Sequence, residues 1–141
     1  MKYLLDTSII SELISKEPNQ KVLEYINSLN EEDVYLSVVT LGEIEFSIAK
    51  LPKNSKKQQK LQEWFKNALL PRFQGRVIDI NLETMLLWGE ITAKLQKKGK
   101  TIAIMDALIA STAMSKDYTL ITRNEKDFEN FDIEIINPFK L

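Results

Sequence analysis

The sequence predicts an α/β fold: one domain over residues 1–141, with a mostly parallel central β-sheet flanked by α-helices on both faces. Three observations predict it. Short apolar runs rich in branched side chains alternate with longer segments of helical periodicity along the whole chain. Several runs end in acids or hydroxyl residues that open the next helix. No internal repeat, low-complexity tract or linker interrupts this alternation, which implies right-handed crossovers between parallel strands.

Tyr3-Leu4-Leu5 is a short apolar run of the kind a buried central strand shows. Asp6 ends it, and Thr7 or Ser8 is placed to cap a helix with Ile9, Ile10, Leu13 and Ile14 inward. Glu17-Pro18-Asn19 is a break, and 22–29 reads as an amphipathic helix with Val22, Leu23, Ile26 and Leu29 inward. After a polar turn over 30–33, residues 34–39 form the second predicted strand. Thr40-Leu41-Gly42-Glu43 opens a helix with Leu41, Ile44, Ile48 and Leu51 at helical spacing, ended by Pro52. The stretch 53–60 reads as a basic connector, and the helix after it, with Leu61, Trp64, Phe65, Ala68 and Leu69, stops near Pro71. A short strand is expected over 77–80 and a long helix over 82–98, with Gly99 as its C′ residue. Ile102 to Met105 leads into Asp106 and a helix of small residues, 107–114, placed in the interior against the sheet. Residues 118–122 form a strand, 123–128 turn into a short helix, and 134–137 form an edge strand closed by Pro138.

Composition removes whole classes of chemistry. There is no histidine and no cysteine, which excludes structural zinc sites, thiol nucleophiles and Ser-His-Asp catalysis. Four glycines without G-x-G-x-x-G or G-K-[ST] exclude a dinucleotide fingerprint and a P-loop. No apolar run reaches membrane-span length, and Asp6 interrupts the first one too early for a signal peptide, so a cytoplasmic location is expected. Any catalysis must come from carboxylates, amines, hydroxyls or a hard metal ion.

Four acids share one context: Asp6 after the first strand, Glu43 after the second, Asp106 opening the small-residue helix and Asp127 after the strand at 118–122. In a parallel sheet, positions following strands emerge at one edge. Each acid alone has a plainer explanation. Thr40-x-x-Glu43 and Asn124-x-x-Asp127 fit capping boxes, and first helical turns favour acids. Gathering four is another matter, since two unit charges about 6 Å apart repel by roughly 3 kcal/mol at an effective dielectric of about 20. A divalent cation such as Mg²⁺ or Mn²⁺, which takes oxygen ligands, accounts for a shared location as capping does not. An acid-only, histidine-free metal site points to phosphodiester hydrolysis.

At these residues the chain resembles the PIN domains, specifically the VapC and FitB-like toxins of prokaryotic toxin–antitoxin pairs. The matching segments are Leu4-Leu5-Asp6-Thr7-Ser8-Ile9-Ile10-Ser11-Glu12-Leu13, 36–44 around Thr40-Leu41-Gly42-Glu43, Met105-Asp106-Ala107-Leu108-Ile109-Ala110, 119–128 and Ile136-Asn137-Pro138. The resemblance implies a PIN-like fold and a Mg²⁺-dependent ribonuclease, with Mn²⁺ as a possible substitute, acting on structured RNA such as transfer RNA. It implies Asp6 and Asp106 as principal metal ligands, Glu43 as a third acid orienting the metal or its water, and Asp127 as a fourth acting through water. Thr7, Ser8 and Asn124 are implied as polar support. Where the family can place an acid, Asn124 is an amide, which leaves one or two metals open. The resemblance further implies a small VapB/FitA-like antitoxin as inhibitor and a homodimer.

Other readings compete. One is a catalytically silent PIN-like module kept for protein binding, and another is a related nuclease acting on DNA. Receiver and haloacid-dehalogenase sites fit poorly, because hydroxyl residues follow Asp6 and Ser8 takes the place of the second acid of D-x-D. Lys53, Lys56, Lys57, Lys97, Lys98 and Lys100 are candidate RNA phosphate contacts, with solvated helix ends an equally good account. Trp64, Phe65 and Trp88 suit a core or dimer interface better than base stacking. An inhibitor is expected to lay a segment over the outer face of the early helices, at Ile14, Val22 and Ile26, and to bring a basic side chain to the acids.

Overall fold

A computed structural model describes residues 1–141. Five parallel strands run in the order β3-β2-β1-β4-β5: β1 (Tyr3–Leu5), β2 (Val34–Ser37), β3 (Val77–Ile78), β4 (Thr119–Ile121) and β5 (Ile135–Ile136). β1 is central, registering Tyr3 with Val34 on one side and with Thr119 on the other. The chain leaves β1 toward β2 on one flank and returns to β4 on the other. The C-terminal ends of β1 and β4 therefore form the switch point where open α/β sheets take ligands.

Strand periodicity divides the core in two. Leu5, Leu36 and Ile121 enter a cluster with Ile9, Ile10, Val22, Ile26, Ile44, Ile48, Phe65 and Phe73. Their sequence neighbours Leu4 and Leu120 enter the opposite cluster with Val39, Leu95, Ile109, Ala110, Phe128 and Phe131. Alternation along a strand buried on both faces produces this split. The first face is covered by α1 (Thr7–Leu13), α2 (Gln20–Ser28), α3 (Val38–Ala49) and α4 (Lys56–Trp64), the last running on through a π-helical turn at Phe65–Leu69 into α5 (Leu70–Arg72). The second face carries α6 (Leu82–Lys97), α7 (Ile104–Lys116) and α8 (Glu125–Phe128). The small side chains of Ala107, Ala110, Ser111 and Ala113 let α7 lie close against the sheet, as expected. No helix is long and apolar enough to cross a membrane.

Several local expectations are corrected. The N-cap of α1 is Asp6 itself, and Thr7 and Ser8 lie inside the first turn. Ser37 caps α3 by accepting from the Val39 N–H at 3.0 Å, so the helix starts at Val38 and the predicted strand is two residues shorter. A serine at the N-cap satisfies an otherwise orphaned donor, and that local bond overrides the β-branched run Val38-Val39. Ser55 caps α4 through the Gln58 N–H at 3.2 Å, which makes the expected basic connector the start of a helix. That helix runs one residue past Pro71 and ends at Arg72, near the proline as expected. The Leu70 N–H reaches the Phe65 carbonyl, a widened turn just ahead of the proline, where a tight one would clash. Val22 and Ile26 are buried in the first cluster and are not an outer face. Ile14 does line an open groove of about 310 Å³ with Thr7, Ile10, Ile44, Lys57 and Trp64. Gly99 ends α6 as expected: its N–H bonds to the Gln96 carbonyl and that of Lys100 to the Leu95 carbonyl, with φ of 74° at the glycine.

Candidate active site

Asp6 stands where β1 ends, its backbone N–H still bonded to the Ile121 carbonyl of β4 at 2.9 Å. The side chain is only 3% exposed, yet it caps nothing. Ser8 Oγ and Thr122 Oγ1 each donate to Asp6 Oδ2 at 2.7 Å. Oδ1 receives no hydrogen bond from the chain. Ser8 also accepts the Arg123 N–H at 3.3 Å, and Thr122 accepts that of Asn124 at 3.0 Å, so two backbone groups orient the hydroxyls that orient the acid.

Glu43 reaches the same edge from α3. With the helix starting at Val38 it lies in the second turn, too far in for the expected capping box. Thr7 Oγ1 donates to Glu43 Oε1 at 2.6 Å and lies 3.0 Å from Thr40 Oγ1, which is fully buried. Asp106 is the third residue of α7, within its first turn. Its carboxyl is pushed up from 3.8 to about 6, first by burial and then by the charges of Asp6, Asp127 and Glu43. The four acids thus share one electrostatic site. Asp127 is its most exposed member, on α8. The second capping box is absent too, because the Asn124 side chain makes no cap bond.

Nothing cationic enters this site. The close ion pairs are Arg72 and Arg76 with Glu31, Lys94 with Glu90, Arg123 with Glu12 and Lys140 with Glu125, none of them on the four acids. The donor set is all oxygen, carries uncompensated negative charge and leaves Asp6 Oδ1 free, which suits a hard divalent cation. No three acids stand close enough together to form a finished ligand cage. Mutual repulsion among side chains that are only partly buried explains the separation.

Of the supporting residues, Ser8 donates to Asp6 and Thr7 to Glu43, whereas the exposed Asn124 contributes its backbone N–H and not its amide. The sequence reading missed Thr122 and gave Thr40 a capping role. Thr122 directly follows β4 and Thr40 lies in the first turn of α3, and each reaches its partner only across the fold, at Asp6 and Thr7. The lysines are exposed: Lys53 in the loop before α4, Lys56 and Lys57 in its first turn, Lys97 and Lys98 at the end of α6. Lys100 bonds Asn130 Oδ1 at 2.8 Å, tying it to the α8 side.

A five-stranded parallel sheet with carboxylates gathered at its C-terminal edge places the chain in the PIN class, and the PIN domain model matches residues 3–134. The chain belongs to the PIN-domain family, among relatives of the VapC and FitB toxins. It is 36% identical to the toxin FitB of Neisseria gonorrhoeae over 96% of this chain and 97% of that one. It is 34% identical to the VapC ribonuclease Y4jK of Sinorhizobium fredii over 97% of each. The crystal structure of FitAcB from N. gonorrhoeae superposes with a TM-score of 0.91 at 36% identity, covering 99% of both chains.

Proposed function

We propose that this chain is a divalent-metal-dependent endoribonuclease, the toxin of a toxin–antitoxin pair, hydrolysing phosphodiester bonds of structured RNA such as transfer RNA. The observation that carries the reading is the gathering of Asp6, Glu43, Asp106 and Asp127 at the sheet edge, where burial and then the three neighbouring acids raise Asp106 and no ion pair involves any of the four. The relative named a VapC ribonuclease supports the activity, and the relative named a toxin supports the biological role.

Asp6, Asp106 and Glu43 would hold Mg²⁺ or Mn²⁺, with Asp127 at the rim. The ion, when bound, supplies Lewis-acid polarisation and neutralises charge on a phosphoryl oxygen. The chain's own part is orientation. Ser8 and Thr122 occupy one oxygen of Asp6 and leave the other free, and Thr7 fixes Glu43. Asp106, raised to about 6 by burial and by its acidic neighbours, would give up its proton more readily once a cation offsets those neighbours. Lys57, Lys97 and Lys98 are exposed and available for phosphate contacts.

A small VapB/FitA-like antitoxin is the proposed inhibitor. The groove lined by Ile10, Ile14 and Trp64 offers its segment an apolar track that reaches Thr7, which bonds Glu43. A homodimer is part of the same reading. The decisive experiment compares cleavage of total RNA, and of DNA of matching sequence, by the purified chain and by Asp6→Asn, Glu43→Gln and Asp106→Asn. RNA cleavage that requires Mg²⁺ or Mn²⁺ and falls at least about 100-fold in each variant is expected. Cleavage that survives all three substitutions would move the chemistry elsewhere, and preferential DNA cleavage would change the substrate.

A further inference from the structure

Beside the acids, α3 carries a set of residues that neither the fold nor the acid site uses. Phe46 is 63% exposed and is the one aromatic among the chain's exposed large apolar side chains. It lies three residues after Glu43, and Lys50 four after that, so the three share one helix face. Lys50 Nζ lies 5.1 Å from the Phe46 ring centroid, leaving much of the ring to solvent. Gly42 completes the patch one turn before Phe46. A side chain on a helix covers the surface toward its N-terminus, so Phe46 lies over the turn that contains Gly42.

Gly42 has no fold-based reason to be glycine. Its φ is not positive, and a Cβ placed on it would meet nothing within 4 Å. A mid-helix glycine costs about 0.5–1 kcal/mol relative to alanine. What it provides is open space on the exposed side of α3, immediately before Glu43 and beneath an aromatic ring. An exposed ring, a cation on it and cleared backbone next to a carboxylate site together suit a single-stranded nucleic acid. The ring offers a stacking surface, the ammonium meets a phosphate, and the bare helix admits the sugar.

We propose that Phe46 stacks an unpaired base of the RNA next to the scissile phosphate, with Lys50 contacting the adjoining phosphate and Gly42 leaving room for the nucleotide. Resting on the ribonuclease reading, it assigns Phe46, Lys50 and Gly42 to a nucleotide subsite beside the acids. Any face with a π-system serves, so the contact selects an unpaired nucleotide over a paired one and not one base over another.

The test uses the full chain with hairpin RNAs carrying 2-aminopurine in the loop, at the cleavage position first mapped on total RNA. Phe46→Leu keeps apolar bulk without a π-face, and Phe46→Tyr keeps the face. The expected result is a KM for the hairpin raised about 5- to 150-fold in Phe46→Leu, the range base–aromatic stacking supplies. Phe46→Tyr should hold the wild-type value, and kcat should change little in either. Quenching of 2-aminopurine on binding should weaken in Phe46→Leu alone. Gly42→Ala should melt higher than wild type yet bind the hairpin more weakly. Equal KM in Phe46→Leu and wild type overturns the proposal while leaving the ribonuclease reading intact, and so does loss of a co-purifying small protein from Phe46→Leu with RNA affinity unchanged. Absence of any RNA cleavage by wild type overturns both.

Discussion

Two charge clusters in this chain contain the same chemical group in opposite circumstances. Beside α5, Glu31 accepts from Arg72 Nε at 2.8 Å and has Arg76 at 3.6 Å. Arg72 and Arg76 both pack over the Phe73 ring. Glu31 is consequently held below the ordinary 4.5, first by its hydrogen bond to Arg72 and then by the Arg72 charge. At the sheet edge Asp106 is raised to about 6 by burial and by three like charges. The first cluster is closed, its charges answered from within the chain. The second is open and costs the fold stability unless something from outside supplies a positive charge. Structural charge is paired internally, and functional charge is left to be completed by a ligand.

The sharpest way to break the contrast is to supply that charge. A cation that binds only the folded state at about 100 times its Kd stabilises it by about 2.7 kcal/mol, roughly 5–10 °C in melting temperature for a chain of this size. Mg²⁺ or Mn²⁺ is therefore expected to raise the melting temperature of wild type and of Glu31→Gln alike. The double variant Asp6→Asn, Asp106→Asn should lose most of the response. A full response in the double variant would place the cation at another site.

Sequence patterning carried the architecture and the four acids because both rest on regularities that survive without coordinates. Strands of alternating burial and acids following strands are one-dimensional signals. What sequence could not supply was the chain's choice between two local hydrogen-bonding schemes. Ser37 and Thr40 are both plausible caps, and only packing of Val39 into the second core decides for Ser37. That choice moved Glu43 from the first helical turn to the second and removed its plainer explanation. Thr122 escaped notice because its role depends on β4 lying beside β1, a pairing between residues far apart in the chain. Val22 and Ile26 were misplaced for a similar reason. A helical face reads as apolar whether it meets its own core or a partner's, and α2 turns that face inward.

A smaller effect should appear in stability against pH without added metal. Asp106 has a folded-state pKa near 6 against an ordinary 3.8, so the folded chain binds more protons than the unfolded one between those values. Stability must then fall as pH rises from about 4 to about 6, and the penalty is complete above that window. Because Asp106 is half-exposed, solvent screening limits the penalty to about 1–2 kcal/mol. In EDTA at pH 7, Asp106→Asn should be more stable than wild type by that amount, with the two converging below pH 4. Denaturant midpoints across pH measure it. A variant less stable than wild type at pH 7 would show that the carboxylate serves the helix and not a ligand.

The smallest expected effect comes from the closed cluster, and its sign is the opposite one. Glu31 has a lowered folded-state pKa, so whatever stability it contributes is present above its unfolded value near 4.5 and is lost as pH falls through the folded one. Glu31→Gln should therefore be less stable than wild type at pH 7 and equal to it in acid. The loss should be small, about 0–1 kcal/mol, because the carboxylate is exposed and pairs of this kind are screened by salt. Its partners also have other anchors. Arg76 donates to the carbonyls of Glu31, Val34 and Arg72, and both guanidiniums keep their contact with Phe73 when the acid is gone. Adding salt should erase the difference at pH 7 in Glu31→Gln, whereas the gain in Asp106→Asn, whose largest cause is burial, should persist in part. Midpoints for both variants in low and high salt test this directly. If Glu31→Gln lost several kcal/mol, or if its deficit grew in acid, the α5 cluster would not be the closed, self-answered arrangement that sets off the open one.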